Sequence, residues 1–385
     1  MLGGFEKVTV DPVALTADLI RCPSVTPEDG GAMTLLEQVL SDAGFTCTRI
    51  SRGGVENLYA RWGSSAPVFA FAGHTDVVPP GDEAGWQHHP FSGHLDNDGI
   101  LWGRGACDMK SGVAAFVAAA VRMVADSPPE GSISLLITGD EEGPATDGTV
   151  AILDWMRASG ETADFCIVGE PTSVVQLGDT IKIGRRGSMT GTLTVRGRQG
   201  HTAYPERAVN PLPVLSRVCA QLDDTPIDMG STHFQPSTLA LASIDTGNAA
   251  SNVIPSEGRA VFNVRFNDLQ TAERIRIWAD QILVTALQGT GCEAEIEWSV
   301  SGESFLTQPG PLVEIAVDAI TDRMLERPVL STGGGTSDAR FIKDICPVIE
   351  IGLVGDTMHQ SDERTRSKDI TTLSEVYFDI MRRFF

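Results

Sequence analysis

Three short apolar runs in this chain each end on side chains that bind metals or move protons. Val68–Ala72 runs into Gly73-His74-Thr75-Asp76, Ile133–Thr138 into Asp140-Glu141-Glu142, and Phe165–Val168 into Gly169-Glu170. A further acid, Asp108, follows Gly103-Arg104-Gly105, and a histidine, His359, lies near the carboxyl end. Imidazole with carboxylate suits zinc or a similar first-row divalent ion, and two such ions need two sets of ligands plus a bridging carboxylate. His74, Asp108, Glu142, Glu170 and His359 supply that number. Asp76, two residues beyond His74 on the same strand face, is expected to hold the second imidazole nitrogen and set its tautomer. Two adjacent glutamates do not easily face one ion together. Glu142 is therefore read as the ligand, and Glu141 as the general base that takes a proton from the attacking water.

Taken singly, each signal has an ordinary structural explanation. Asp108 can cap the helix that follows it. A pair such as Glu141-Glu142 is common in solvated turns, and an isolated His-x-Asp carries little information. His88, His89 and His94 are close by and read as loop residues. The weight comes from recurrence at consecutive strand ends, and from Glu170, which directly follows a buried-type strand where an unpaired carboxylate is unfavourable.

The elements that must position these residues alternate. The pattern predicts a helix over 27–42 stopped at Gly44, strands at 68–72, 133–138 and 165–168, and helices over 109–125 and 149–158. This is the signature of an α/β domain with a largely parallel central sheet, whose strand carboxyl ends gather on one ligand-binding edge. From about Gly187 the texture changes to alternating strands, at 189–196 and 259–265, with helices over 211–222 and 269–287. After Gly302 the earlier style returns, with a helix over 312–324 and a buried-type strand at 347–353. We read a smaller α+β domain inserted into a larger one.

A chain of 385 residues fits this two-domain reading. Its net charge of -22 argues against a nucleic-acid partner or an anionic membrane. The cysteines are scattered without a C-x-x-C pair, so reduced thiols and a cytoplasmic setting are expected. The first twelve residues lack a basic segment followed by an apolar one, and the apolar helix candidate at 112–121 is too short to span a bilayer. Neither secretion nor membrane association is expected.

The strings Gly73-His-Thr-Asp-Val-Val-Pro79, Gly103-Arg-Gly-Ala-Cys-Asp-Met-Lys110, Thr138-Gly-Asp-Glu-Glu-Gly143 and Gly169-Glu-Pro171 resemble the co-catalytic zinc exopeptidases and deacylases, which include carboxypeptidases, aminoacylases and acetylornithine deacetylase. Further strings are similar to the desuccinylases within that family: Ile181-Lys-Ile-Gly-Arg-Arg-Gly-Ser188, Gly200-His-Thr-Ala-Tyr-Pro205, Ser251-Asn-Val-Ile-Pro255, Gly333-Gly-Gly-Thr-Ser-Asp338 and Met358-His359. The resemblance spans essentially the whole chain. It implies a catalytic di-zinc domain over 1–183 and 301–385, with 184–300 as an inserted dimerisation and lid domain. It also implies two zinc ions per subunit, with cobalt able to substitute, and cleavage of N-succinyl-LL-2,6-diaminopimelate to succinate and LL-2,6-diaminopimelate in bacterial lysine biosynthesis. Asp108 then bridges the ions, His74 and Glu170 complete one site, and Glu142 and His359 the other. His201 becomes an oxyanion donor supplied in trans by the partner of a homodimer.

One stretch of this acidic chain is basic: Lys182, Arg185, Arg186, Arg196, Arg198 and Arg207, with Arg265 further on. Such charges can simply keep an exposed strand edge soluble. They also suit a small anionic N-acyl amino acid, because arginine's planar fork pairs bidentately with carboxylates. Arg186 and Arg265 are the chosen contacts, with Asn252, Thr336 and Ser337 adding polar ones. A related deacylase such as acetylornithine deacetylase would share the metal residues and differ in the Arg-Arg-Gly-Ser and Gly-Gly-Thr-Ser-Asp strings. A metal-free scaffold of the same fold would be expected to have lost a ligand or Glu141, and all are present.

Overall fold

The computed structural model describes residues 9–385, so most of the stretch read for a secretion signal lies outside the described residues. The chain forms two compact units. One comprises the described residues up to Ile183 together with Thr307–Ser331 and Ser337–Phe385; the other comprises Gly184–Leu306 and Thr332–Thr336.

The larger unit is built on an eight-stranded sheet. Its spatial order is Thr46–Arg52, Val55–Trp62, Ser132–Thr138, Val68–His74, Phe165–Val168, Val348–Glu350, Thr180–Lys182 and Val329–Ser331. The four strands from Ser132–Thr138 to Val348–Glu350 run parallel, in a register that pairs His74 with Thr138, Ala72 with Val168, and Val168 with Glu350. Their carboxyl ends therefore finish level, and the segments that leave them emerge side by side. Ser132–Thr138 and Val68–His74 are buried at every position, as strands covered on both faces must be. Phe71 stacks on Phe116 of the helix Lys110–Asp126 at 4.3 Å, and Tyr377 of the helix Ser367–Phe384 meets both rings edge-on at 5.8 and 5.6 Å. These contacts lock two helices onto the central strands.

Two local features differ from the sequence reading. The helix expected over 27–42 begins only at Ala32. Asp29 accepts the backbone N–H groups of Gly31 and Met33, and Gly30-Gly31 take positive φ, so the chain turns before it coils. The strands Thr46–Arg52 and Val55–Trp62 form an antiparallel edge hairpin around Gly53-Gly54 that the reading did not anticipate. Among the described residues no helix is long and apolar enough to cross a membrane.

The second unit is a four-stranded antiparallel sheet, ordered Thr238–Asp245, Glu257–Phe266, Gly187–Arg196 and Glu293–Gly302. Its apolar positions, including Met189, Leu193, Phe262 and Val264, form one core with Val214, Val218, Ile275 and Ala279 of the helices Leu212–Asp224 and Ala272–Leu287. The unit ends at Leu306 rather than residue 300, and it includes the segment Thr332–Thr336. That segment is tied in by Thr332 Oγ1 donating to His233 O at 2.6 Å and Arg185 Nη1 to Gly335 O at 3.1 Å.

Gly112 marks one close backbone approach in the larger unit. A methyl group there would collide with the carbonyl oxygen of Gly169, the residue before Glu170. Gly112→Ala is expected to lower stability by about 1–3 kcal/mol through overpacking, despite alanine's better helix propensity. Denaturant unfolding decides the sign: an unchanged or raised midpoint would show that the helix is not pressed against that strand end.

Candidate metal centre

The loop that carries Asp108 has no regular structure of its own and is shaped by Glu363. This buried carboxylate accepts the backbone N–H groups of Gly105 at 2.9 Å, Cys107 at 2.9 Å and Asp108 at 3.1 Å, and Nη1 of Arg104 at 2.7 Å. The peptide bond after Asp108 is cis. So held, Asp108 turns one oxygen to each of two imidazoles: Oδ1 lies 3.3 Å from His74 Nε2, and Oδ2 lies 3.3 Å from His359 Nε2. Glu142 Oε1 lies 2.9 Å from His359 Nε2, and Glu170 Oε1 lies 3.8 Å from His74 Nε2. All five expected ligands thus meet in one cluster, with His359 in the left-handed backbone region at φ 60°. Metal-ligating atoms of His74, Asp108 and Glu142 lie within 4.8 Å of one another, as do those of His74, Glu141 and Glu170. Glu141 therefore belongs to the cluster as well, beside His74 and Glu170.

Asp76 does not act as expected. Nδ1 of His74 bonds the backbone oxygen of Asp76 at 2.8 Å, while the Asp76 carboxylate stands 3.7 Å away. That carboxylate instead accepts the backbone N–H of Glu141 at 3.2 Å and of Glu142 at 3.1 Å, and the hydroxyl of Thr26 at 2.7 Å. The main chain fixes the tautomer of His74, and the side chain of Asp76 fixes the acidic turn.

The donor set fits divalent cations. Burial raises the Glu170 carboxyl well above its ordinary range, with the charge of Asp108 adding to the effect. Burial also pushes Glu141 up to about 8, against the pull of His74 and with the push of Asp338, Glu142 and Asp108. Burial opposes the charge on Asp108 too, but hydrogen bonds from His359 and His74 outweigh it and hold its carboxyl below the usual range. Hydrogen bonds to Asp108 and Glu142 raise His359 to about 10. Carboxylates crowded together with only imidazoles to neutralise them have an unmet demand for positive charge.

The expected substrate residues are distributed differently. Arg186, Arg265, Asn252, His201 and Thr336 belong to the second unit, and Ser337 to the larger one. In the second unit, Nε of Arg186 is buried without a hydrogen-bond partner, and Arg265 has its pKa lowered by burial and by the charge of Arg186. Arg265 Nε donates to Asn263 at 3.0 Å. His201 is exposed, and its Nδ1 accepts the Ala203 N–H at 3.0 Å, which leaves Nε2 for a further bond. Asn252 is exposed, with its backbone oxygen accepting from Thr202, and Thr336 is half-buried. Ser337 is fully buried and donates to Glu350 at 2.6 Å, so its hydroxyl is committed within the fold. The next residue, Asp338, accepts from Thr149 at 2.6 Å and is raised by burial to about 6. His88 and His94 stack on each other at 4.1 Å, apart from the cluster's ligands. Glu363, Arg104 and Thr26 were not singled out from the sequence. Their work is done on backbone groups and carboxylates far away along the chain, and no spacing rule announces it.

Residues 70–383 match the model of peptidase family M20/M25/M40. A succinyl-diaminopimelate desuccinylase of Cereibacter sphaeroides is 55% identical over 378 residues, covering 98% of this chain and 99% of the relative. Another, from Ruegeria pomeroyi, is 55% identical over 380 residues, covering 98% and 100%. Among solved structures, a metallo-carboxypeptidase from Sulfolobus solfataricus superposes with a TM-score of 0.78 at 16% identity, covering 98% of this chain and 99% of that one. A dinuclear metal-binding peptidase from Bacillus subtilis gives 0.72 at 15% identity, covering 96% of each.

The raised carboxyl groups set a pH dependence. Glu141 in the folded, metal-free chain takes up a proton near pH 8, against about 4.3 when unfolded. The stability this contributes is complete below about pH 4.3 and is lost as pH rises through about 8. Cations need the charged carboxylates, so their stabilisation grows across the same window. The gap in melting temperature between metal-loaded and chelator-stripped protein is expected to be wider at pH 8 than at pH 5.5. An equal gap at both would show that the acids are not protonated in the stripped protein.

Proposed function

The chain belongs to peptidase family M20/M25/M40, and on that premise we propose that it is a metal-dependent hydrolase that cleaves N-succinyl-LL-2,6-diaminopimelate to succinate and LL-2,6-diaminopimelate, a step of diaminopimelate and lysine biosynthesis. The observation that carries the reading is Asp108, which turns one carboxylate oxygen to each of two imidazoles while a glutamate stands beside each imidazole. In this reading His74 and Glu170 would hold one ion and His359 and Glu142 a second, with Asp108 available to both. The ions are zinc, with cobalt able to substitute. When bound, they polarise the amide carbonyl and make a water acidic enough to lose a proton near neutral pH.

The remaining work belongs to side chains. Glu141, held within the cluster, takes the proton of the attacking water and returns it to the departing amine as the tetrahedral species collapses. The carboxylate of Asp76 keeps the Glu141-Glu142 turn in place for both transfers. His201 donates its free imidazole nitrogen to the developing oxyanion. The charge of Arg186 bears on Arg265, and Nε of Arg186 is buried without a partner, an arrangement suited to the carboxylates of a succinylated diamino acid. Asn252 and Thr336 add polar contacts. The chain acts as a cytoplasmic homodimer through its second unit, and each His201 serves the site of the partner subunit.

Hydrolysis of N-succinyl-LL-2,6-diaminopimelate and N-acetylornithine by one metal-analysed preparation tests the substrate, with the succinylated compound expected to be strongly preferred. On the same assay Glu141→Gln is expected to keep its metal and lose about a thousandfold or more in kcat. Preference for acetylornithine would overturn the substrate, and near-normal turnover by the variant would overturn the base.

Delivery of His201 in trans has its own test. Mixed dimers of Glu141→Gln and His201→Ala subunits contain one site with an intact Glu141 and an intact donor only if the histidine crosses between subunits. Activity should therefore reappear on mixing two inactive variants. Continued inactivity of demonstrably mixed dimers would place His201 in its own subunit's site.

A further inference from the structure

The turn that carries the general base is steadied by the chain's amino-terminal region, through a residue to which nothing above assigns a catalytic part. After the helix Pro12–Ile20 the segment Ser24–Thr26 runs alongside Thr75–Val77, just beyond His74. Ser24 Oγ donates to Thr75 O at 2.6 Å, Val77 N–H to Ser24 O at 2.9 Å, and Thr26 N–H to Val77 O at 3.2 Å. This ladder brings the Thr26 hydroxyl to Oδ2 of Asp76 at 2.7 Å, the shortest of the three hydrogen bonds that carboxylate receives. The other two are the 3.2 and 3.1 Å bonds from the backbone of Glu141 and Glu142.

A buried carboxylate can rotate about its last bond. Two long bonds to neighbouring amides on a turn restrain that weakly, whereas a third, short bond from a segment itself hydrogen-bonded to Thr75–Val77 restrains it further. Thr26 also touches the turn directly. A Cβ built on Gly143 would stand 2.8 Å from the Thr26 methyl and 2.6 Å from Oδ1 of Asp140, so the turn closes against the threonine with no room to spare.

We propose that Thr26 is a positioning residue for the reaction: its hydroxyl locks the Asp76 carboxylate, which in turn holds the Glu141-Glu142 turn and keeps the base aimed at the attacking water. The role rests on Glu141 being the base, as above, and it adds a residue more than a hundred positions upstream of the turn it governs. Thr26 touches neither substrate nor ion. The influence of its hydroxyl passes through Asp76.

Threonine's two branches allow a clean separation. Thr26→Val keeps the methyl and removes the hydroxyl; Thr26→Ser does the reverse. The first measurement is amide hydrogen exchange of the metal-free protein over peptides spanning Glu141–Gly143, which needs no turnover and is independent of the substrate assignment. Thr26→Val is expected to speed exchange there about tenfold, with the strand Ser132–Thr138 unchanged, and Thr26→Ser to match the wild type. The second is kinetics of metal-loaded enzyme on an N-acyl substrate that the wild type hydrolyses. Thr26→Val should lose about tenfold in kcat with KM and metal content held, Thr26→Ser should restore it, and Thr26→Val should cost nothing further in an Asp76→Asn background.

Wild-type exchange rates in Thr26→Val would overturn the proposal. So would a serine variant as impaired as the valine one, or faster exchange across the whole protein. A wild-type enzyme that ignores the succinylated substrate would count against the function and leave the exchange result standing.

Discussion

Asp108 can serve two imidazoles at once only because the loop beneath it cannot move. Glu363 gathers three successive-region N–H groups and a guanidinium from that loop, and burial would make an unpaired carboxylate at that depth strongly unfavourable. The arrangement is therefore mutual. The loop needs the carboxylate to satisfy its amides, and the carboxylate needs the loop and Arg104 to remain charged. Asp76 repeats the device on the Glu141-Glu142 turn. Two buried acids, Glu363 and Asp76, thus hold by hydrogen bonds the backbone that carries three others, Asp108, Glu141 and Glu142.

The rest of the larger unit follows from the need to place those turns together. Parallel strands in register deliver their carboxyl ends level, and the aromatic stack of Phe71, Phe116 and Tyr377 keeps the helices pressed on them. Carboxylates gathered at that edge are unfavourable when charged: burial, with the charge of neighbouring acids adding to it, raises the carboxyl groups of Glu141 and Glu170. The hydrogen-bonded scaffold holds these groups at close range, an arrangement that divalent cations would balance.

Much of this was legible in the residues alone. The α/β pattern, the strands at 68–72, 133–138 and 165–168, and the gathering of His74, Glu142 and Glu170 at strand ends followed from apolar runs stopping at chemically active side chains. The Asp76 side chain was misread because spacing along a strand places two residues on one face without saying which of their atoms meet. The backbone oxygen reached the imidazole first. Glu363, Arg104 and Thr26 escaped because long-range hydrogen bonds to backbone groups leave no periodic trace. The antiparallel edge hairpin at Thr46–Trp62 escaped because neither the half-buried Thr46–Arg52 nor the mostly buried Val55–Trp62 alternates cleanly, and the helix expected from Pro27 was shortened by the glycine pair before Ala32.

The chain leaves the larger unit at Ile183 and returns at Thr307, and these two residues are hydrogen-bonded neighbours, Thr307 N–H to Ile183 O at 2.7 Å. On the far side of that junction Arg185 pairs with Phe305. For the larger unit, residues 184–306 therefore amount to one closed loop whose ends are already stapled. The entropy of closing such a loop grows only slowly with its length, so the excursion can lengthen, shorten or change content with little effect on the host sheet. For the host sheet, the content of residues 184–306 is thus a matter separate from its own closure.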